Sequence, residues 1–171
     1  TLKPTFLLPK HMSVAGADIE FSSSVRNLGV IFENTMSFQS HISKVCQNAY
    51  YELRRISSIR HYLSSDATKI LVCSLVLSRL DYGNALLAGS YEYLLDKLQK
   101  VQNNAARLIF KSSKKNHVTP LLRSLHWLPV RSRIKYKLSC ISFSYFSGTG
   151  PSYLSEMLTQ YSNLPCLRSS S

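Results

Sequence analysis

Leu94, Leu98, Val101, Ala105 and Leu108 recur at spacings of four and three, which an α-helical turn gathers onto one face. Lys97, Lys100, Asn104, Arg107 and Lys111 keep the same rhythm one strip over. The stretch from Tyr91 to Lys115 therefore predicts a helix that docks through its apolar strip and turns its cations outward. Upstream, Phe38, Ile42, Val45, Ala49, Leu53 and Ile56 repeat that period behind Ser37, a residue suited to cap a helix, and predict a helix running to about Tyr62. Ser64, Ser65 and Asp66 mark the start of the next one. Its run Ile70 to Leu77 leaves hardly any polar side before Arg79, so this helix is expected to be covered all round and to stand at the centre of a bundle.

The flanks follow other periods. Phe6 to Leu8, Val14 to Phe21 and Val25 to Phe32 read as short strands set off by Gly16 and the Ser22 to Ser24 cluster, a small antiparallel piece. Gly29, inside an apolar run, predicts a bulge or a close backbone approach. Gly83 and Gly89 loosen the chain ahead of the basic helix, and residues 112–116 form a polar, positive loop. Thr119 with Pro120, and then Pro129, open two further helices. In the second, Ile134, Leu138, Ile141 and Tyr145 are expected to face inward, with Arg133 and Lys137 on another side and Arg131 and Lys135 on a third. Gly148, Gly150 and Pro151 then break the chain before a last short helix from Tyr153 to Leu158, and the Ser-rich tail beyond Gln160 is expected to be loose. The fold class expected is mainly α with a small N-terminal antiparallel β element, an α+β protein built around a helical bundle.

Charge changes the picture more than length does. With 171 residues, 44% of them hydrophobic, the chain can bury a core of single-domain size. Its 21 Lys and Arg against 9 Asp and Glu give a formal charge of +12, which favours a polyanionic partner. Between Lys97 and Lys137 every charged residue is Lys or Arg. A face that merely keeps a helix wet mixes signs; this run does not. Lys97, Lys100, Arg107 and Lys111 are therefore candidate nucleic-acid-binding residues, with Arg131, Arg133, Lys135 and Lys137 as a second strip, and no acid in the run to cancel either. Tyr50, Tyr51, Tyr62, Tyr82, Tyr91, Tyr93, Tyr136, Tyr145, Phe143 and Phe146 lie among basic positions, and such faces can stack on bases or sugars, although each alone is more often a core residue with a polar tip. For Trp127, at a corner between two helices, a packing wedge is the favoured reading.

Catalytic chemistry is thinly represented. The acids contain no adjacent pair, and only Asp18 and Glu20 share a strand face, so two-metal phosphoryl transfer has no evident ligands. The histidines are scattered, and pairings such as Cys46 with His41 or Cys73 with His126 rest on nothing in the spacing. Cys46, Cys73, Cys140 and Cys166 show no CxxC pairing and read as reduced thiols of an intracellular protein, nuclear or cytoplasmic. No apolar stretch is of membrane-spanning length, and no membrane partner is expected. The chain begins without Met, which suggests a fragment or a processed product.

Several blocks together carry a resemblance. Val25-Arg26-Asn27-Leu28-Gly29-Val30, Ser78-Arg79-Leu80-Asp81-Tyr82-Gly83-Asn84-Ala85-Leu86-Leu87 and Leu98-Gln99-Lys100-Val101-Gln102-Asn103-Asn104-Ala105-Ala106-Arg107-Leu108-Ile109 resemble the segment after the catalytic core of LINE-type, non-LTR retrotransposon reverse transcriptases. The likeness continues through His117-Val118-Thr119-Pro120-Leu121-Leu122, Leu125-His126-Trp127-Leu128-Pro129-Val130, Arg133-Ile134, Gly150-Pro151-Ser152-Tyr153-Leu154 and Leu167-Arg168-Ser169-Ser170, nearly the whole chain. It implies that residues 1–36 are the end of the polymerase palm, with Leu28 and Gly29 at the hairpin that grips the primer terminus, that 37–160 are the helical thumb and its extension, and that 161–171 are a loose tail. It implies too that an RNA-directed DNA polymerase is the parent, using Mg2+ that this part does not itself bind. The partners implied are RNA template, DNA primer or their hybrid, and the upstream polymerase core. The family's Tyr-x-Asp-Asp block is not present, and Lys3-Pro4-Thr5 stands where Lys-Thr-Glu is usual, so the chain looks like a truncated, non-catalytic C-terminal fragment. A protein-interaction or scaffold module, and an inert transposon relic, are the alternatives.

Overall fold

The computed structural model describes residues 11–151 and 153. The strand expected at Phe6 to Leu8, the short helix after Tyr153, the tail beyond Gln160 and Cys166 lie outside the described residues. Two antiparallel hairpins come first: β1 (His11–Val14) pairs with β2 (Ala17–Glu20), and β3 (Ser24–Asn27) with β4 (Val30–Glu33), as two separate sheets. Each turn is two residues at positive φ, Ala15–Gly16 and Leu28–Gly29, the backbone that matches the twist of a tight hairpin. Gly29, at φ 86°, is thus the turn between two strands and not a bulge within one. Val25 to Phe32 folds in half at Leu28–Gly29, a turn that the apolar Leu28 hides from a hydrophobicity pattern, while Val14 belongs to β1 and the strand after the Gly16 break begins at Ala17.

Helices make up the rest. α1 (Gln39–Ile59) ends in a 3₁₀ turn at Arg60–Tyr62, and α2 (Ser65–Val72) passes through a π turn at Cys73–Leu77 into α3 (Ser78–Asp81). A 3₁₀ turn at Asn84–Leu87 leads to α4 (Glu92–Phe110), α5 (Thr119–Ser124) and α6 (Val130–Phe146). The protein is mainly helical with two small N-terminal sheets, an α+β fold.

Glu33, at the end of β4, caps α1. Its carboxylate accepts from the backbone N–H groups of Gln39 at 3.1 Å and Ser40 at 3.2 Å, and from the hydroxyls of Ser37 and Ser40. A negative group is favoured there because the first N–H groups of a helix have no partner within it. Ser64 caps α2 as expected, accepting from Ala67 N at 3.1 Å.

α1 and α4 run parallel, since Tyr93 bonds Gln39 at one end and Arg60 reaches α4 at the other. Arg60 is buried, and its guanidinium donates to the carbonyls of Leu108 at 3.0 Å, Ile109 at 2.6 Å and Leu63 at 2.8 Å. It supplies donors and a positive charge where α4 ends with unpaired carbonyls.

The central helix is α4, not α2 and α3. Leu94, Leu98, Val101, Ala105, Ala106 and Ile109 of α4 are all buried. Ile70, by contrast, is 66% exposed, and Ser74 and Ser78 continue that solvent side at intervals of four. The apolar run had concealed a polar strip. In α6 only Val130 and Ile134 are buried, while Leu138 and Ile141, expected inside, are exposed among the described residues.

Candidate nucleic-acid interface

The buried side of α4 is set by its apolar residues, and its flanks by hydrogen bonds. Toward α1, the Tyr93 hydroxyl donates to Gln39 Oε1 at 3.1 Å and Asn104 Nδ2 donates to the Tyr50 hydroxyl at 3.4 Å. Toward α6, Val130 N donates to Gln99 Oε1 at 2.8 Å, and Gln102 Nε2 donates to the Leu128 carbonyl at 2.9 Å. Gln102 is fully buried, so this amide pair pins the start of α6 to the middle of α4. Lys97, toward Cys46 of α1, and Lys100 are both exposed.

Their surroundings favour an anion. The Lys100 and Lys111 ammonium groups take no hydrogen bond or ion pair among the described residues. Lys97 Nζ lies 5.7 Å from the centre of the Tyr93 ring, which stacks on Tyr91 at 5.9 Å. Both tyrosines are more than half exposed, so the ridge begins with a flat aromatic platform beside a cation. Both were among the aromatics expected to be able to stack beside cations; the spacing of four from Tyr93 to Lys97 is what pairs that ring with that ammonium.

Arg107 is less free. One of its terminal nitrogens donates to the Asn116 carbonyl at 3.4 Å, its Nε is buried without a partner, and the side chain holds the 112–116 loop against α4. Lys111 lies just past the helix in the left-handed region at φ 51°, and Ser112 N closes back on the Arg107 carbonyl at 3.0 Å. That closure satisfies a terminal carbonyl and turns the chain into the loop of Lys114 and Lys115.

The second strip is a correction. Arg131 Nε donates to Glu92 Oε2 at 2.6 Å, and a terminal nitrogen donates to Asp96 Oδ1 at 2.8 Å. The hydrogen bonds that Arg131 donates to Glu92 and then Asp96 hold its guanidinium above its ordinary range. Arg133 is paired with Asp81. The three acids lie outside the Lys97 to Lys137 run and reach these arginines only through the fold, so the charge expected to be uncancelled is partly cancelled. The strip also divides: Arg131 and Lys135 line a groove with Leu87 to Ser90, while Arg133 and Lys137 line a cavity with Asp81 and Trp127.

Leu28 and Gly29 are held at the end of α3. The Leu28 carbonyl accepts from the Tyr82 hydroxyl at 2.6 Å, and a Cβ on Gly29 would lie 3.6 Å from the Tyr82 ring. Gly83, at φ 64°, lets the chain pass close to Val30, where a Cβ would meet a methyl at 3.4 Å. The Leu28 side chain itself is 83% exposed.

Other chemistry is not assembled. His41 is buried, accepts from Ile31 N at 3.4 Å through Nδ1, and is pushed down by that burial. Burial pushes the Cys46 thiol up despite Lys97 nearby, the opposite of an activated nucleophile. Cys46, Cys73 and Cys140 are free thiols. Asp18 and Glu20 are exposed, and among the described residues no three His, Cys, Asp or Glu side chains could hold a metal ion. No helix among them is long and apolar enough to cross a membrane.

No protein-family model and no curated protein matches the sequence significantly, and no solved structure matches the fold.

Proposed function

We propose that this chain holds template and primer for a LINE-type reverse transcriptase, as a non-catalytic part of such a polymerase working in nucleus or cytoplasm. The observation that carries this is the α4 ridge, where Lys97 and Lys100 are exposed and in no ion pair among the described residues and lead past Arg107 to Lys111 and the loop cations. Cations so placed neutralise phosphates and release counterions, with little regard to base sequence. Tyr91 and Tyr93 offer a stacking face at one end of that path. Leu28 and Gly29 act as the primer-gripping turn, braced by Tyr82. The resemblance supplies the polymerase, and the ridge supplies the physical reason for nucleic acid.

The test is a titration of the chain with RNA–DNA hybrid at two ionic strengths. Binding that is strong at low salt and falls steeply at high salt is expected; no binding at either rejects the reading. A second reading, a module that docks on another protein such as the polymerase core, is favoured by the first hairpin, where Met12, Val14 and Ile19 are all more than 40% exposed. Reversing the charge of Lys97, Lys100 and Arg107 together separates the two: it weakens hybrid binding under the first and leaves it unchanged under the second.

A further inference from the structure

A cavity of about 310 Å³ opens between the end of α3, the corner before α6 and α6 itself. Asp81, Asn84, Trp127, Arg133, Tyr136 and Lys137 are among its walls. Its volume is at the small end of the roughly 300–1,000 Å³ found for small-molecule sites, enough for a base with its sugar and too little for a duplex.

We infer that this cavity binds one unstacked nucleotide, its base against Trp127 and Tyr136 and its phosphate toward Lys137. The inference rests on the proposed function only for a nucleic-acid strand as the source; a free nucleotide offers the same chemistry.

Trp127 is held rigidly. α5 ends with His126 in the left-handed region at φ 57°, Trp127 N donates to the Leu122 carbonyl at 2.9 Å, and His126 N donates to the Arg123 carbonyl at 3.0 Å. This closure presses Trp127 onto the core while leaving it in the cavity wall. Tyr136 and Lys137 stand three and four residues after Arg133, so all three reach the same mouth of α6. Tyr136 is 63% exposed, and the Lys137 ammonium makes no hydrogen bond or ion pair among the described residues.

Asp81 decides between ligands. One of its oxygens is taken by Arg133, and the other has only a long contact of 3.5 Å from Asn84 Nδ2. Burial pushes the carboxyl up against the pull of Arg133, Asn84 and Lys137. A bare phosphate would be repelled by this carboxylate, and a purely apolar ligand would leave it unpaired. An aromatic base with N–H donors and an attached phosphate satisfies Asp81, Trp127 and Lys137 together. A paired base does not, because its donors and faces are already used.

The chain has one tryptophan, so its emission reports on this cavity alone. The 171-residue chain is titrated with guanosine monophosphate and with a short end-labelled single strand, reading Trp127 emission for both and label anisotropy for the strand. A saturable change in emission is expected. Tyr136→Ala with Lys137→Ala, both exposed, should weaken it at least about fivefold in a chain whose unfolding transition is kept. Lys100→Glu should weaken strand binding and leave the mononucleotide untouched. An emission change with the strand alone makes a strand the source, and one with the mononucleotide but no strand binding keeps the cavity and rejects the ridge. Strand binding by anisotropy with Trp127 emission unmoved by either ligand, or an emission change indifferent to the double variant, overturns the cavity and leaves the ridge standing. Absence of both signals overturns both.

Discussion

On the open side of α4, Lys97, Lys100 and Lys111 are in no ion pair among the described residues, although Lys97 lies toward Cys46 of α1, whereas at the start of α6 the two arginines are drawn back onto acids of the protein itself. The two strips have like numbers of cations on helices of like length, 19 and 17 residues. What separates them is the third element that comes to lie against each. α4 offers Glu92 and Asp96 on the side toward α6, and α3 offers Asp81, so α6 spends its charge on holding the fold together. Helical spacing settles which side chains share a face; it does not settle what that face will meet.

The comparison breaks most visibly where a cation is wholly internal. Arg60→Ala removes three charge-assisted hydrogen bonds from the α1 end, two of them to α4, and should cost about 3 kcal/mol in denaturant unfolding. Arg60→Lys should fall between, because an ammonium cannot span the three carbonyls as a planar guanidinium does. Unchanged stability in both would mean that the end of α4 does not depend on this staple.

Arg133→Ala comes next. It strands Asp81, already short of partners, and should cost about 1–2 kcal/mol, less than a fully buried pair because both groups keep some solvent. Replacing both residues, Asp81→Asn with Arg133→Leu, should cost less than Arg133→Ala alone. If the double variant is the worse, the pair is a net source of stability and not a means of cancelling charge.

The smallest effect belongs to Glu33, an acid that works on a helix end and not on an arginine. Hydrogen bonds from Ser37 and then Ser40 hold its carboxyl below the ordinary value of 4.5. A lowered carboxyl stabilises the fold above that ordinary value and loses its contribution as pH falls through the folded one. Glu33→Gln should therefore lower the melting temperature slightly at neutral pH, with the gap closing as the solution is acidified. A gap that widens toward acid would show that the cap is not ionised.

Much of the fold was legible because it depends on local period. The apolar steps of α1 and α4, the Ser64 cap and the break at Gly148 are written in neighbouring residues. The hairpin turns were legible only in part: Gly16 marked the first and the resemblance put Leu28 and Gly29 at the second, but Ala15 and Leu28 at positive φ carry none of the usual turn chemistry. Glu33 as a cap was hidden because it reaches α1 from a strand, past the serine that looked like the cap. Half of the candidate site was legible in the same way. Lys97 and Lys100 follow from spacing, but the partners of Arg131 and Arg133 stand 35 to 52 residues away, and no count of charges within a window can see them.

The most direct measurement is the salt dependence of hybrid binding for the chain and for two variants, Lys97→Ala/Lys100→Ala/Lys111→Ala on α4 and Arg131→Ala/Lys135→Ala on α6. Each phosphate that is no longer neutralised by a cation should flatten the slope of log K against log salt by about 1, so the α4 variant should flatten it by about 3 and the α6 variant by less than about 1. Equal slopes for the two variants, or a flatter slope for the α6 variant, would contradict the account.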